Sequence, residues 1–145
     1  IGAVVGQAQP WHVVIVGAGH LGSALAAYQG FGPRGVKISA VVEADANLIG
    51  TRIDGIEIQS FAELPTVVAE ESISMAVIAT PPTAAQEAVD ALVAAGVRSI
   101  LNFAPTAVQV PAGVDIRQVD VATELQILGY HAHRRSVAGP EAVSS

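Results

Sequence analysis

The stretch Gly17-Ala18-Gly19-His20-Leu21-Gly22 has the residue types and spacing to cradle a pyrophosphate. Gly17 allows a sharp turn off a strand. Gly19 has no Cβ to hold the backbone away from an anion, and Gly22 lets the next helix lie close against a sheet. The free N–H groups and positive dipole end of that helix then face the phosphates. Three glycines alone carry little weight in a chain with 14 of them. Their context carries more, because the apolar strand His12–Val16 precedes them and an amphipathic helix follows. The competing reading is a tight turn that holds nothing.

A second anchor is expected about twenty positions on, at the end of the next strand. Val36–Val42 reads as a buried strand, and Glu43 and Asp45 follow it. A carboxylate there accepts hydrogen bonds from both hydroxyls of an adenosine ribose and repels a 2′-phosphate, which favours NAD(H) over NADP(H). The plainer alternative makes Glu43 and Asp45 solvated caps of the turn that follows. Two further loops follow apolar strands: Thr80-Pro81-Pro82, and Asn102-Phe103-Ala104-Pro105. Ligands of doubly wound sheets lie beyond the carboxyl ends of the strands, where strand order reverses. Gly17–Gly22, Glu43, Thr80, Pro81 and Asn102–Pro105 should therefore form one rim, with Asn102 and Phe103 placed to meet a nicotinamide amide and ring.

Catalytic groups are harder to find. Hydride transfer needs a group to move a proton, commonly His or Lys. His12 opens the first strand, His20 lies in the glycine loop, and His131 and His133 end the last helix. None follows a central strand on the nicotinamide side. The His131-x-His133 spacing splays side chains on a helix, so no metal site is expected. The pattern reads as a cofactor-binding module without chemistry of its own.

The elements that must position these residues alternate. Residues 1–11 read as the end of a linker. A helix runs from about His20 to Tyr28, and Ile56–Gln59 reads as an edge strand. A helix near Ala62–Glu70 tolerates Pro65 only in its first turn. Ser74–Ala79 is a strand, Ala84–Ala95 a helix stopped by Gly96, and Arg98–Leu101 a strand. A last strand near Asp115–Val119 closes a Rossmann-like domain over residues 12–119. A C-terminal helix over 120–135 and a disordered tail over 136–145 follow. The fold class is α/β, a doubly wound parallel sheet with right-handed crossovers.

The 145 residues suit one domain, and 51% hydrophobic with 14% charged fits a sheet covered on both faces. No cysteine is present, which excludes disulfides and thiolate chemistry. The net charge of −6, with Lys37 the only lysine, argues against gripping nucleic acid unaided. No apolar run reaches the roughly 20 residues a membrane span needs. With no signal peptide visible, a cytoplasmic location is expected. The start at Ile1 suggests a fragment or a processed product.

Three stretches resemble the C-terminal domain of the Rex family of redox-sensing transcriptional repressors. They are Val14–Gly22 with Ala24-Leu25-x-x-Tyr28-x-Gly30-Phe31, then Gly96-x-x-x-Ile100-Leu101-Asn102-Phe103-Ala104-Pro105, then Val119-Asp120-x-x-x-Glu124-Leu125. The match runs from about Trp11 to Tyr130. The resemblance implies a homodimer that binds NADH or NAD+ and exchanges its last helix with the partner subunit. It also implies operator DNA bound through an N-terminal winged helix that this sequence lacks, and released on binding NADH. Carried over, Gly17–Gly22 holds the pyrophosphate and Glu43 the ribose, while Thr80, Pro81 and Asn102–Pro105 line the nicotinamide side. Tyr28 faces the Asp120 position of the other subunit in the oxidised arrangement, with Val121 packed close by. A full switch of such a dimer needs about 5.5 kcal/mol of differential affinity.

The chain departs from the family pattern at several positions. Glu43 replaces the more usual Asp, and His20 stands where Asn or Arg is common. Val121 is smaller than the aromatic some members have. Without the resemblance, Tyr28 reads as a core aromatic of a helix face and Asp120 as an N-cap. Two other functions compete with the sensor. One is the nucleotide domain of an NAD-dependent oxidoreductase, suggested by Ile78–Pro82. The lysine such enzymes carry after the next strand is replaced here by Asn102-Phe103. The other is a coenzyme A-binding module, which Glu43 disfavours because it would repel the 3′-phosphate.

Overall fold

The structure, a computed structural model, describes residues 10–120. The run His-Val-Val-Ile-Val is rich in β-branched residues and forms the centre of the sheet, β1 (Trp11–Val16). Its glycine turn leads into α1 (His20–Ala27), and Gly35, at φ 80°, leads into β2 (Val36–Glu43). Then come β3 (Arg52–Ile53), β4 (Ile56–Ser60), α2 (Leu64–Glu70) and β5 (Met75–Ile78). The described chain ends with α3 (Pro82–Ala94), β6 (Ser99–Asn102) and β7 (Asp115–Gln118). Pro82 opens α3 at the one place where a missing N–H is harmless, and Gly96, at φ 99°, ends it.

The seven strands order as β3-β4-β2-β1-β5-β6-β7. Apart from the β3–β4 pair, every pairing is parallel. Chain direction across the sheet reverses between β1 and β5, which places the switch point where the glycine loop emerges. Alternate residues feed two cores. Val14, Val16, Val42, Ala76, Ile78 and Ile100 face α2 and α3, which add Leu64, Val67, Val89 and Leu92. Ile15, Val41 and Ile58 face the other way, with Ala26 of α1.

Two expectations need correction. Trp11 already belongs to β1 and pairs with Val36, so the first strand begins one residue earlier than expected. Ile56–Ser60 is not an edge strand. It lies between β2 and the two-residue β3, joined to β3 by a tight turn at Asp54-Gly55 with φ 50° and 85°. Asp-Gly with both φ angles positive is a hairpin turn, and that signal was present in the sequence. The C-terminal helix, the tail and Val121 lie outside the described residues. Among those described, no helix is long and apolar enough to cross a membrane.

The first histidine has a structural role, while His131 and His133 lie outside the described residues. Ser39 is the extra residue where the β1–β2 register shifts, and its hydroxyl bonds His12 Nδ1 at 2.7 Å. His12 thus ties β1 to β2. Among the described residues, no cluster of three His, Cys, Asp or Glu could hold a metal ion.

Candidate dinucleotide site

The carboxyl ends of β2, β1, β5 and β6 are neighbours in the sheet, so the residues that follow them form one rim. Gly17 extends β1 by donating its N–H to the Val42 carbonyl at 2.9 Å, then turns at φ 108°. A Cβ at this glycine would lie 2.6 Å from the Ala79 carbonyl oxygen. At Gly22 a Cβ would overlap the Gly17 carbonyl and come 2.9 Å from its carbon. The protein's own packing demands both glycines.

Gly19 differs. It has negative φ, and no atom lies within 4 Å of where its Cβ would be. Neither backbone strain nor a protein neighbour asks for glycine here. It is also the N-cap of α1, yet no side chain caps that helix. The first-turn N–H groups have no intrahelical acceptor and point outward beside this open space. A bare, uncapped helix start next to an unneeded glycine suits a phosphate.

Glu43 at the end of β2 is committed more fully than its position alone suggests. Its Oε1 accepts from the Ala18 N–H at 2.6 Å, and its Oε2 accepts from the Ala44 and Asp45 N–H groups, both at 2.9 Å. The carboxylate therefore buttresses the glycine loop and keeps part of its acceptor capacity for a ribose hydroxyl. Ser23 adds a brace not foreseen from sequence, its hydroxyl donating to the Ala18 carbonyl at 3.0 Å. Asp45 does what the plainer alternative expected, capping the following turn at the Asn47 N–H, 2.9 Å away. In Glu43→Gln, the amide NH2 would face a backbone N–H. Thermal denaturation should show a loss of about 1–3 kcal/mol from that unmatched donor.

On the other side of the switch point, Thr80 is half-buried and Pro81 exposed, with the Thr80 hydroxyl bonded to the Pro81 carbonyl at 2.9 Å. Phe103 is half-buried, Ala104 buried and Pro105 exposed at the head of the loop after β6. Asn102 does not present its amide to the rim. It is 0% exposed, and its side chain turns into the loop. Nδ2 donates to the Thr106 carbonyl at 3.0 Å and to Gln118 Oε1 at 2.9 Å, while Oδ1 accepts from Ala104 N–H at 2.9 Å. Asn102 shapes this wall from behind. Gln118, its partner on β7, had no sequence signal, because a lone glutamine at a strand end looks like surface.

His20 and Leu21 are exposed on the first turn of α1, beside the open face of Gly19. Tyr28 is not part of the rim. It caps the far end of α1, where it shares a groove with Pro10, Val36 and Lys37 at the amino ends of the strands. Its ring meets Phe31 edge to face, with centroids 4.8 Å apart, and covers Gly30. The side chain is 57% exposed, so it is not the core aromatic that helix periodicity suggests. Asp120 lies just past β7, at the rim end of the sheet.

Residues 8–106 match the family model described as a CoA binding domain. The redox-sensing transcriptional repressor Rex of Streptomyces coelicolor is 51% identical over 140 residues, which covers 97% of this chain and 54% of that protein. The Rex of Roseiflexus is 43% identical over 90% of this chain and 60% of its own length. Among solved structures, the Rex-family repressor RSP in complex with β-NADH superimposes with a TM-score of 0.81 at 26% identity. The match covers 94% of this chain and 66% of that one. RSP has also been solved with β-NAD+ and operator DNA. The chain thus spans about half to two thirds of the proteins it matches. It belongs to the CoA-binding domain family, in the form that the Rex repressors carry.

Proposed function

We propose that this chain is the NADH- and NAD+-sensing domain of a Rex-type transcriptional repressor, without enzymatic activity. Gly19 is the observation that carries the reading. Of the three loop glycines it alone has no reason within the protein, and its open side adjoins the uncapped start of α1. The relatives are named redox-sensing repressors, and RSP has been solved with both redox forms.

In this reading the α1 N–H groups and the loop from Gly17 to Gly22 bind the pyrophosphate. Glu43 orients the adenosine ribose and disfavours a 2′- or 3′-phosphate there. That preference separates NAD(H) from coenzyme A, which the family description names. Thr80, Pro81, Phe103, Ala104 and Pro105 wall the nicotinamide side. The dinucleotide supplies a ring that is charged when oxidised and neutral when reduced. The loops directly after β5 and β6 carry no His or Lys to move a proton, which sets the site apart from a dehydrogenase.

Homodimerisation fits the uneven cover of the sheet. Val77, Leu101 and Phe103 are only partly buried on the face opposite α3, while their neighbours Ile78, Ile100 and Asn102 are buried. Among the described residues, α1 is the helix of that face, and it lies against β1 and β3. A partner's helix, entered through Asp120 and Val121, would cover the rest, and Tyr28 would meet the partner at the other end of α1. Operator DNA would be bound through a winged helix preceding this domain, since the net charge of −6 disfavours a grip on phosphates by this domain alone. A cytoplasmic location goes with this role.

Calorimetric titration with NADH, NAD+, NADPH and coenzyme A tests the reading. NADH should bind with a Kd of about 1 μM or tighter. NAD+ should bind more weakly, and the other two not detectably. Gly19→Ala should weaken NADH at least roughly tenfold, about 1.4 kcal/mol, while leaving stability within about 0.5 kcal/mol. Tight coenzyme A binding, or an alanine variant that binds NADH unchanged, would refute it.

A further inference from the structure

We infer that Gln118 is a positioning residue that couples the loop after β6 to the C-terminal segment of the chain. The inference rests on the nucleotide reading above for what that loop senses. Gln118 uses its whole amide on the loop. Oε1 accepts from Asn102 Nδ2 at 2.9 Å, and Nε2 donates to the Asn102 carbonyl at 3.2 Å and to the Ala104 carbonyl at 2.8 Å. One residue on, the Val119 N–H donates to the same Asn102 carbonyl at 2.9 Å.

The placement makes this more than a loop brace. Asn102 is the buried polar side chain of the described core, whereas Gln118 is exposed at the end of β7, so the pairing is held by its three mutually consistent hydrogen bonds rather than by exclusion of water. Phe103 and Ala104, which wall the nicotinamide side, are fixed between two anchors: the Phe103 N–H bonds Ile78 of β5 at 2.9 Å, and Gln118 holds Ala104 from β7. Any shift of this wall must move Gln118 or break its bonds. Gln118 is followed directly by Val119, Asp120 and the segment from 121 onward. A displacement at the wall therefore reaches that segment through two peptide units.

The same loop has a second tether, which runs to α3 rather than to β7. Gln86 of α3 accepts from the Gln109 N–H at 2.8 Å and donates to the Gln109 carbonyl at 2.9 Å. Gln86→Ala loosens the loop without touching β7, so it serves as the control. Gln118→Met keeps roughly the length and volume but removes every hydrogen bond of the side-chain amide.

Two measurements on the same proteins test the coupling. The first is amide hydrogen exchange without nucleotide, read by mass spectrometry. Gln118→Met should speed exchange at least roughly fivefold both around Ala104–Thr106 and in the peptides after Val119, whereas Gln86→Ala should speed it in the loop alone. The second is the ratio of NAD+ to NADH dissociation constants. Gln118→Met should bring that ratio at least roughly fivefold closer to one, and Gln86→Ala should weaken both forms alike. Faster exchange confined to the loop in Gln118→Met overturns the coupling, as does a ratio equal to the parent's. Failure of the parent to bind either form would instead refute the nucleotide reading, and the exchange data would still decide the coupling.

Discussion

Gly22→Ala should melt roughly 10 °C below the parent and lose at least about 99% of its NADH affinity. The added Cβ would overlap the Gly17 carbonyl oxygen and crowd the Ile15 side chain at 3.4 Å. The oxygen belongs to backbone that is itself pinned, since Gly17 turns against Ala79 and its N–H is bonded to β2. Neither partner can rotate away, so helix and loop must separate. Overpacking of this kind costs about 3 kcal/mol. In a chain of this size that is a fall in Tm of about 10 °C. The separation also moves the α1 N–H groups off the loop, which would remove the proposed phosphate contact and should weaken NADH roughly a hundredfold. Scanning calorimetry and titration on one preparation read both effects. A variant that binds NADH within about twofold of the parent would show that the phosphate lies elsewhere.

The second large effect is expected at Asn102. Asn102→Leu keeps the branched shape and the number of heavy atoms but strands the Ala104 N–H, the Thr106 carbonyl and Gln118 Oε1. Each unmatched group costs about 1–3 kcal/mol where water is excluded, and partial solvation around Gln118 lowers the sum. A loss of about 3 kcal/mol in urea denaturation is the expected result. Asn102→Asp should be worse at neutral pH. One carboxylate oxygen keeps the Ala104 bond, but the other faces two acceptors, and a buried charge set against acceptors is costlier than a missing bond. Both variants should weaken NADH, because the wall is no longer held. Stability within about 0.5 kcal/mol of the parent in Asn102→Leu would mean the amide is dispensable to the loop.

The same buried asparagine shows where sequence reasoning stops. Its position at the carboxyl end of an apolar strand was readable, because strand periodicity and the doubly wound topology place that end at the rim. Which way its side chain turns was not. That depends on Gln118, sixteen residues away, and on the carbonyl of Thr106. Glu43 divides in the same way. Its place at the tip of β2 follows from local pattern, whereas its three backbone donors include Ala18 on another strand's turn. The Asp54-Gly55 hairpin was legible but passed over, since two-residue strands give periodicity nothing to act on.

What the chain states in its own letters is the alternation of strand and helix, the glycine turn and the carboxylate that answers it. Each arises from backbone sterics and residue period, which act over a few neighbouring positions. Three features emerge only when β1, β2, β6 and β7 lie side by side. They are the separate reasons for Gly17, Gly19 and Gly22, the inward turn of Asn102, and the brace at Gln118. A buried amide takes its partners from whatever the fold sets opposite it, and no local pattern names that neighbour in advance.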